Sequence, residues 1–163
     1  MNAIFKRVSV RKYLDKEVED EKIEKILRAA MASPTAMNQQ EWEFYIVKDK
    51  EKLIELSLLT PYSTFVKDAP CAIVVCSKKE TTREEFRDID CALCTENILL
   101  EMTELDLGGC MIGIAPDKEK IDRLNKMINV YEGLDAFTLI PFGYPKFDKE
   151  QEDRFDKNKV HFI

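Results

Sequence analysis

Apolar positions recur at helical spacing in several stretches of the chain. Between residues 20 and 32 they follow the i, i+3, i+4, i+7 pattern of a helix with one buried face. Ser33-Pro34 ends this helix, because the residue before a proline avoids the α region. Residues 88–107 form the longest pattern, and apolar side chains cover most of its circumference, which predicts a helix buried on more than one side. Shorter helices are predicted over residues 2–6, 50–59 and 117–127.

Other stretches have the composition of β-strands. Residues 42–47 are rich in aromatic and β-branched side chains. Residues 71–76 form a continuous apolar run, which is typical of a central strand covered on both faces. Shorter strands are predicted over 110–114 and 136–142, and Gly108-Gly109 is expected to end the long helix. These elements, with about four strands, predict an α+β domain: a three-layer sandwich in which helices flank a central mixed sheet.

Length and charge narrow the class of protein. The chain has 163 residues, so residues 1–163 are expected to form a single domain. Its net charge of −6 argues against a nucleic-acid or anionic-membrane partner, since both need positive potential. Residues 1–11 contain no apolar run long enough for a signal peptide, and no stretch approaches the ~20 apolar residues of a membrane span. The cytoplasm is therefore the expected location.

The cysteines and the single histidine limit the possible chemistry. An odd number of cysteines, five, without a secretion signal predicts reduced thiols. Cys91 and Cys94 have the spacing of half a zinc site, but no second pair follows, so no metal site is predicted. A non-enzymatic redox or binding module using these two thiols remains an alternative, provided that both are accessible and of low pKa. The only histidine, His161, lies near the C-terminus, so an enzyme would take its chemistry from a cofactor.

Basic residues alternate near the N-terminus. In an extended segment Arg7, Ser9 and Arg11, separated by Val8 and Val10, would project to one side. Two guanidiniums and a hydroxyl suit a phosphate monoester, because arginine binds phosphate through paired hydrogen bonds. A solvated basic stretch is the alternative, and the spacing alone favours it.

Two further segments have the chemistry of a flat, polar ligand site. The loop after residue 32 carries Asn38 and Gln40, whose amides each combine a donor and an acceptor, as the edge of a flavin or pyrimidine does. Residues 108–113 read Gly-Gly-Cys-Met-Ile-Gly, and backbone without Cβ atoms can approach a flat ligand closely. Ordinary loop polarity, and a helix stop followed by a strand, are the alternatives.

The tail after residue 144 is polar until its last residues. Arg154 is a base in an otherwise acidic stretch, and a surface arginine is the simplest interpretation. Val160, Phe162 and Ile163 are apolar and need a burial site. An edge strand on this subunit or on a partner would provide one.

In their order along the chain, these motifs resemble the nitroreductase family of FMN oxidoreductases. Arg-x-Ser-x-Arg is followed by Ser-Pro-Thr-x-x-Asn-x-Gln-x-Trp, and then by Asp-Ala-Pro before an apolar strand. The long helix runs into Gly-Gly-Cys-Met-Ile-Gly, and Phe-Gly-Tyr-Pro precedes the tail. The resemblance covers nearly the whole chain. One departure is Glu41, which stands where the family usually has proline before tryptophan.

The resemblance implies a flavoprotein made of two intertwined copies of the chain. Each homodimer would hold two FMN molecules, bound between the subunits. The phosphate and the pyrimidine side of the flavin would be held by Arg7, Val8, Ser9 and Arg11, with a phosphate contact from Arg154. Asn38 and Gln40 would face the flavin, while Ser33, Pro34 and Thr35 would contact the FMN of the other subunit. The backbone of Ile112 and Gly113 would lie beside flavin N5.

The resemblance also implies the reaction. NADH or NADPH would deliver hydride to flavin N5 and leave, and a small acceptor, typically a nitroaromatic or a quinone, would take its place in a ping-pong mechanism. No side-chain general base is needed for that chemistry, which agrees with the single histidine. Related members carry out reductive dehalogenation, flavin breakdown or peptide-azoline oxidation, and these remain alternatives.

Overall fold

The computed structural model describes residues 3–163 and contains helices on both faces of one sheet. The helices are α1 (Ala3–Lys6), α2 (Asp20–Met31), α3 (Lys50–Leu56), α4 (Arg87–Glu104) and α5 (Lys118–Met127). The strands are β1 (Trp42–Val47), β2 (Cys71–Lys78), β3 (Gly108–Gly109), β4 (Ile112–Gly113) and β5 (Leu134–Gly143). The helix predicted from residue 2 begins at Ala3 in the described residues, and Asn2 lies outside them.

The sheet has the strand order β1-β2-β5-β3, and β4 also pairs with β5. Every pairing between these strands is antiparallel. The prediction of a mixed sheet is therefore corrected for the part of the chain that the structure describes. The continuous apolar run in β2 shows that both faces of the strand are covered, but it carries no information on the direction of its neighbours.

The three layers are visible in the alternation along β2. Cys71, Ile73 and Val75 face a core that contains residues of α2 and α4. Ala72, Val74 and Cys76, which alternate with them, face a second core that contains residues of α3 and α5. Successive side chains of a strand point to opposite faces, so helices on both sides require an apolar residue at every position. This confirms the predicted α+β sandwich.

The end of α4 differs from the prediction. The helix ends at Glu104, and Asp106 then adopts a left-handed backbone with φ of 59°. The N–H of Leu107 donates to Met102 O at 2.8 Å, the bond that closes a Schellman motif. Because Asp106 reverses the chain, the two glycines that follow are not needed as a helix stop and form β3 instead.

Apolar side chains of α4 and of the C-terminal tail remain exposed. Ile89 and Leu93 on α4 are 54% and 43% exposed, although the sequence predicts a helix buried on more than one side. In the tail, Phe155 and Phe162 are 77% and 96% exposed. Residues 160–163 form no strand on their own subunit, so the predicted burial site for the tail is not within this chain.

Within residues 3–163, the helices are too short or too polar to cross a membrane.

Candidate functional site

The N-terminal basic segment forms neither a helix nor a strand and lies along the edge of the sheet. The N–H of Val10 donates to Gly109 O at 3.0 Å, which joins the segment to β3. Farther along, the hydroxyl of Tyr13 reaches Val10 O at 2.8 Å and Pro141 O at 3.0 Å. Burial raises the pKa of Tyr13 well above its ordinary value, so this hydroxyl stays a neutral donor. These contacts fix the backbone that carries Arg11.

Arg11 lines an open cavity of about 450 Å³, a volume typical of small-molecule sites. The lining residues are Arg11, Thr60, Tyr62, Cys110, Met111, Ile112, Gly113 and Lys120. Two of them are cations from different elements, and none is a carboxylate, although Lys120 Nζ lies 3.0 Å from Asp117 Oδ2. A cavity with this charge favours an anionic or electron-rich ligand.

The backbone of β4 forms an uncovered wall of the cavity. A Cβ atom added to Gly113 would have no heavy atom within 4 Å, whereas one added to Gly109 would lie 3.0 Å from Met102 Sδ. The buried hydroxyl of Thr138 donates to Ile112 O at 2.8 Å and holds β4 against β5. A fixed backbone without a side chain is a surface on which a flat ligand can lie.

The loop between α2 and β1 is held by its own polar groups and by α4. Asn97 on α4 donates through Nδ2 to Ser33 Oγ at 2.8 Å. Thr35 Oγ1 accepts the N–H of Gln40 at 3.2 Å, and the Gln40 amide donates to Asn38 Oδ1 at 2.8 Å. The amides that the sequence predicts to face a flavin are therefore arranged by hydrogen bonds to each other.

Two buried carboxyl groups lie beneath this loop. Glu41 is 1% exposed and Asp90 is 3% exposed. The amide nitrogen of Gln39 lies 3.3 Å from Glu41 Oε1 and 3.0 Å from Asp90 Oδ2. Burial, and then hydrogen bonding with Asp90, raise the pKa of the Glu41 carboxyl.

Only some of the predicted site residues meet within the chain. Arg11, Ile112 and Gly113 line the same cavity. Arg7 lies instead at α4, where its Nε is 3.7 Å from Glu96 Oε1. Val8 lines a separate cavity of about 310 Å³ between the N-terminal segment and the start of the tail.

The remaining predicted residues do not line the Arg11 cavity. Ser33 is buried, Ser9 and Thr35 are half-buried, and Pro34, Asn38, Gln40 and Arg154 are exposed. Among residues 3–163, no hydrogen bond or ion pair joins the 33–40 loop to Arg11 or to β4. A common site for all of these residues stays a prediction, and within one chain it would be incomplete.

Lys120 and Tyr62 are cavity residues that the sequence motifs do not include. Lys120 belongs to the first turn of α5, where a lysine on a helix carries no signal of its own. Tyr62 is 82% exposed at the cavity. An aromatic residue in a short polar connection is the feature of the sequence that could have indicated its role. Packing of α5 against β5, the strand that pairs with β4, brings Lys120 to the site, and sequence spacing cannot show such packing.

The thiols of α4 do not fit the redox-module alternative. Cys91 and Cys94 are completely buried in the core between α4 and the sheet. Burial raises the pKa of Cys94 to about 12 and raises that of Cys91 further. A reactive thiol must be accessible and of lowered pKa, so these two cysteines are packing residues.

The fold and the cavity define a class of protein: an α+β sandwich with a cavity lined by two cations and by the glycine-containing strand β4. The chain belongs to the Nitroreductase family, whose sequence model matches residues 4–63 and 56–144. This confirms the family resemblance predicted from the order of the motifs.

Relatives of known sequence and structure agree with this assignment. A protein of Methanothermobacter thermautotrophicus, provisionally named an NADH dehydrogenase/NAD(P)H nitroreductase, is 36% identical over 99% of this chain and 85% of its own length. The crystal structure of a provisionally named NADH oxidase from Clostridium acetobutylicum matches with a TM-score of 0.94, 41% identity and 98% of both chains. An FMN-dependent nitroreductase from Clostridium difficile matches with a TM-score of 0.90, 35% identity and 99% and 97% of the two chains.

Proposed function

We propose that the protein is an FMN-dependent oxidoreductase that passes hydride from NADH or NADPH to a small electron acceptor, a nitroaromatic or a quinone, by a ping-pong mechanism. The observation that carries this proposal is the cavity in which Arg11 and Lys120 face the uncovered backbone at Gly113. The cofactor and the class of reaction are supported by the name of the Clostridium difficile relative, an FMN-dependent nitroreductase.

The cavity residues fit FMN. An isoalloxazine ring needs a flat surface without side chains, and the open space at Gly113 provides one. The ring also carries electronegative carbonyl groups on its pyrimidine side, and Arg11 is a cation lining the cavity that could donate to them. Arg7, Ser9 and Arg154 are the candidates for the phosphate, because guanidinium and hydroxyl groups donate to phosphate oxygens.

When bound, FMN supplies the hydride chemistry. The protein's residues bind the cofactor, orient the substrate and stabilise developing charge. Arg11 would hold the pyrimidine side of the ring and would stabilise negative charge that develops there. Tyr62 and Met111 offer exposed apolar surface to an aromatic acceptor. Lys120 is a second cation for the charged part of a substrate. No side chain has to act as a general base, and His161 lies in the exposed tail.

We propose further that a second copy of the chain completes the site. Exposed apolar side chains of this size mark interaction surfaces, and they occur on α4 at Ile89 and Leu93 and in the tail at Phe155 and Phe162. A partner covering these surfaces could bring its own 33–40 loop to the Arg11 cavity. Such an arrangement would explain why the loop and the cavity share no hydrogen bond within one chain.

The test is the visible absorbance spectrum of the purified protein, before and after NADH is added without oxygen. Stoichiometric bound FMN that NADH bleaches is the expected result, and a colourless protein that takes up no FMN contradicts the proposal. Arg11→Ala should weaken FMN binding about 10- to 100-fold, because a hydrogen bond from a charged group contributes about 1.5–3 kcal/mol. Arg28→Ala is the matched control, since that exposed guanidinium pairs with Glu24 on α2 and with no other group in residues 3–163.

The acceptor is tested separately. Product analysis with quinones, nitroaromatics, halogenated aromatics and dioxygen should show reduction of the first two classes. Halide release, or degradation of the flavin, would instead indicate the alternative chemistries of the same fold.

A further inference from the structure

The loop before β1 has a strained backbone. Met37, Asn38 and Gln40 have φ values of 53°, 54° and 46°. The left-handed region is unfavourable for residues with a Cβ atom, and three such residues in four positions persist only where the surroundings hold them.

Gln39 provides that support. It has an ordinary φ of −72°, and its side chain points under the loop. Its Oε1 accepts the N–H of Arg83 at 3.1 Å, and its Nε2 reaches both Asp90 and Glu41. Asp90 Oδ2 also accepts the N–H of Ala36 at 3.0 Å. The two ends of the strained segment are therefore tied to the same pair of buried carboxyl groups.

One oxygen of this pair lacks a partner. Glu41 Oε2 is buried and makes no hydrogen bond. As a carboxylate, it would be an unsatisfied buried acceptor on a group that is almost completely removed from water, which is costly. A proton on the Glu41 carboxyl removes this problem, because the protonated group can donate to the Asp90 carboxylate, with which it is in hydrogen-bonding contact.

In the part of the chain that the structure describes, no cation pairs with either carboxyl group. Titratable or charged groups on the elements packed there are Arg87, Asp88, Cys91 and Cys94 of α4, Arg83 before α4, and Lys78 of β2, whose backbone N–H donates to Glu41 O. Both guanidiniums pair with other carboxylates, Arg87 with Asp88 and Asp135 and Arg83 with Glu85. Within residues 3–163, no ion pair includes Glu41 or Asp90.

We propose that Glu41 and Asp90 share one proton and that this carboxyl pair is the positioning element of the 36–40 loop, which presents Asn38 and Gln40 to the cofactor. The shared proton stands on the geometry of this chain, while the link to the cofactor rests on the proposed function. Where the family usually has proline, a residue that restricts the backbone covalently, Glu41 restricts it through hydrogen bonds.

The sign of the pH dependence follows from the burial of Glu41. Its pKa is raised above the value in the unfolded chain, first by burial and then by Asp90. The stabilisation is therefore complete below the ordinary pKa of glutamate and is lost as the pH rises through the raised pKa. Above that point two carboxylates share one buried site, and their repulsion drives apart the two acceptors that the Gln39 amide bridges.

The test compares wild-type protein with Glu41→Gln in the absence of FMN. The glutamine amide keeps a donor towards Asp90 but cannot ionise. The melting temperature of wild type should fall as pH rises above the ordinary glutamate range, while that of Glu41→Gln should not show this fall. Glu43→Gln removes an exposed carboxylate two residues farther along, on β1; it is the matched control and should keep the wild-type profile. Carbon-13 NMR of glutamate-labelled wild type should show one carboxyl signal that titrates above the ordinary pH range of glutamate. This signal should be missing in Glu41→Gln.

Two results would overturn the proposal. If all glutamate carboxyls of wild type titrate in the ordinary range, or if Glu41→Gln keeps the wild-type pH profile, the shared proton does not exist. The stability profiles could differ as expected while the FMN affinity of wild type does not weaken over the same pH range relative to that of Glu41→Gln. In that case the pair does not position a cofactor loop. That last result refutes the link to the cofactor, whereas a protein that binds no FMN at any pH refutes the proposed function itself.

Discussion

Replacing Gly113 by alanine should separate the folding of this protein from its binding of FMN. The added Cβ would meet no heavy atom within 4 Å, so the folded chain accommodates it without strain. An alanine restricts the unfolded chain, which stabilises a protein by about 0.4–1 kcal/mol where the native backbone permits it. For a domain of this size, the melting temperature of the FMN-free protein should rise by roughly 1–4 °C.

The same methyl group would occupy the space that the flat ring of FMN needs. We expect FMN affinity to fall by at least about tenfold, which corresponds to about 1.4 kcal/mol. The assay combines thermal unfolding of the FMN-free protein with titration of FMN fluorescence. The matched control is Gly109→Ala on β3, whose Cβ would lie 3.0 Å from Met102 Sδ and 3.2 Å from Pro141 O.

The control should show the opposite pattern. Overpacking typically costs about 1–3 kcal/mol, so Gly109→Ala should lower the melting temperature. The reasoning is refuted if Gly113→Ala destabilises the FMN-free protein as Gly109→Ala does. It is equally refuted if Gly113→Ala binds FMN with wild-type affinity, because the uncovered backbone would then not be the surface on which the flavin lies.

Two further predictions concern the support of the site. Tyr13→Phe removes the hydroxyl that reaches Val10 O and Pro141 O, and it should lower the free energy of unfolding in urea by about 1–2 kcal/mol. The hydroxyl of Tyr144 donates to an exposed carboxylate, so Tyr144→Phe should lower the free energy of unfolding by less. Equal effects of the two substitutions would contradict the role given to Tyr13. Removal of residues 155–163 should weaken dimerisation in sedimentation experiments without loss of helical circular dichroism, since the tail forms no strand on its own subunit. A truncated chain that dimerises as tightly as the full chain would refute this assignment.

The sequence by itself determined the elements whose pattern is local. The bounds of β1 and the start of β2 agree with the predicted strands, and α2 agrees within one residue, because side-chain periodicity reports directly which face of an element is buried. The ordered motifs also identified the family, since they combine glycine, amide and arginine positions over nearly the whole chain.

Only the tertiary structure decided how these elements meet. A pattern of apolar residues does not state the direction of a neighbouring strand, so the antiparallel sheet could not be predicted. Arg7 and Arg11 alternate in sequence, but the first pairs with Glu96 on α4 and the second lines the cavity with Lys120 of α5. The sequence shows Glu41 only as a departure from the family's proline, whereas packing removes it from water and places Asp90 beside it. In each case the deciding interaction joins residues far apart in the chain, and local spacing carries no information about such contacts.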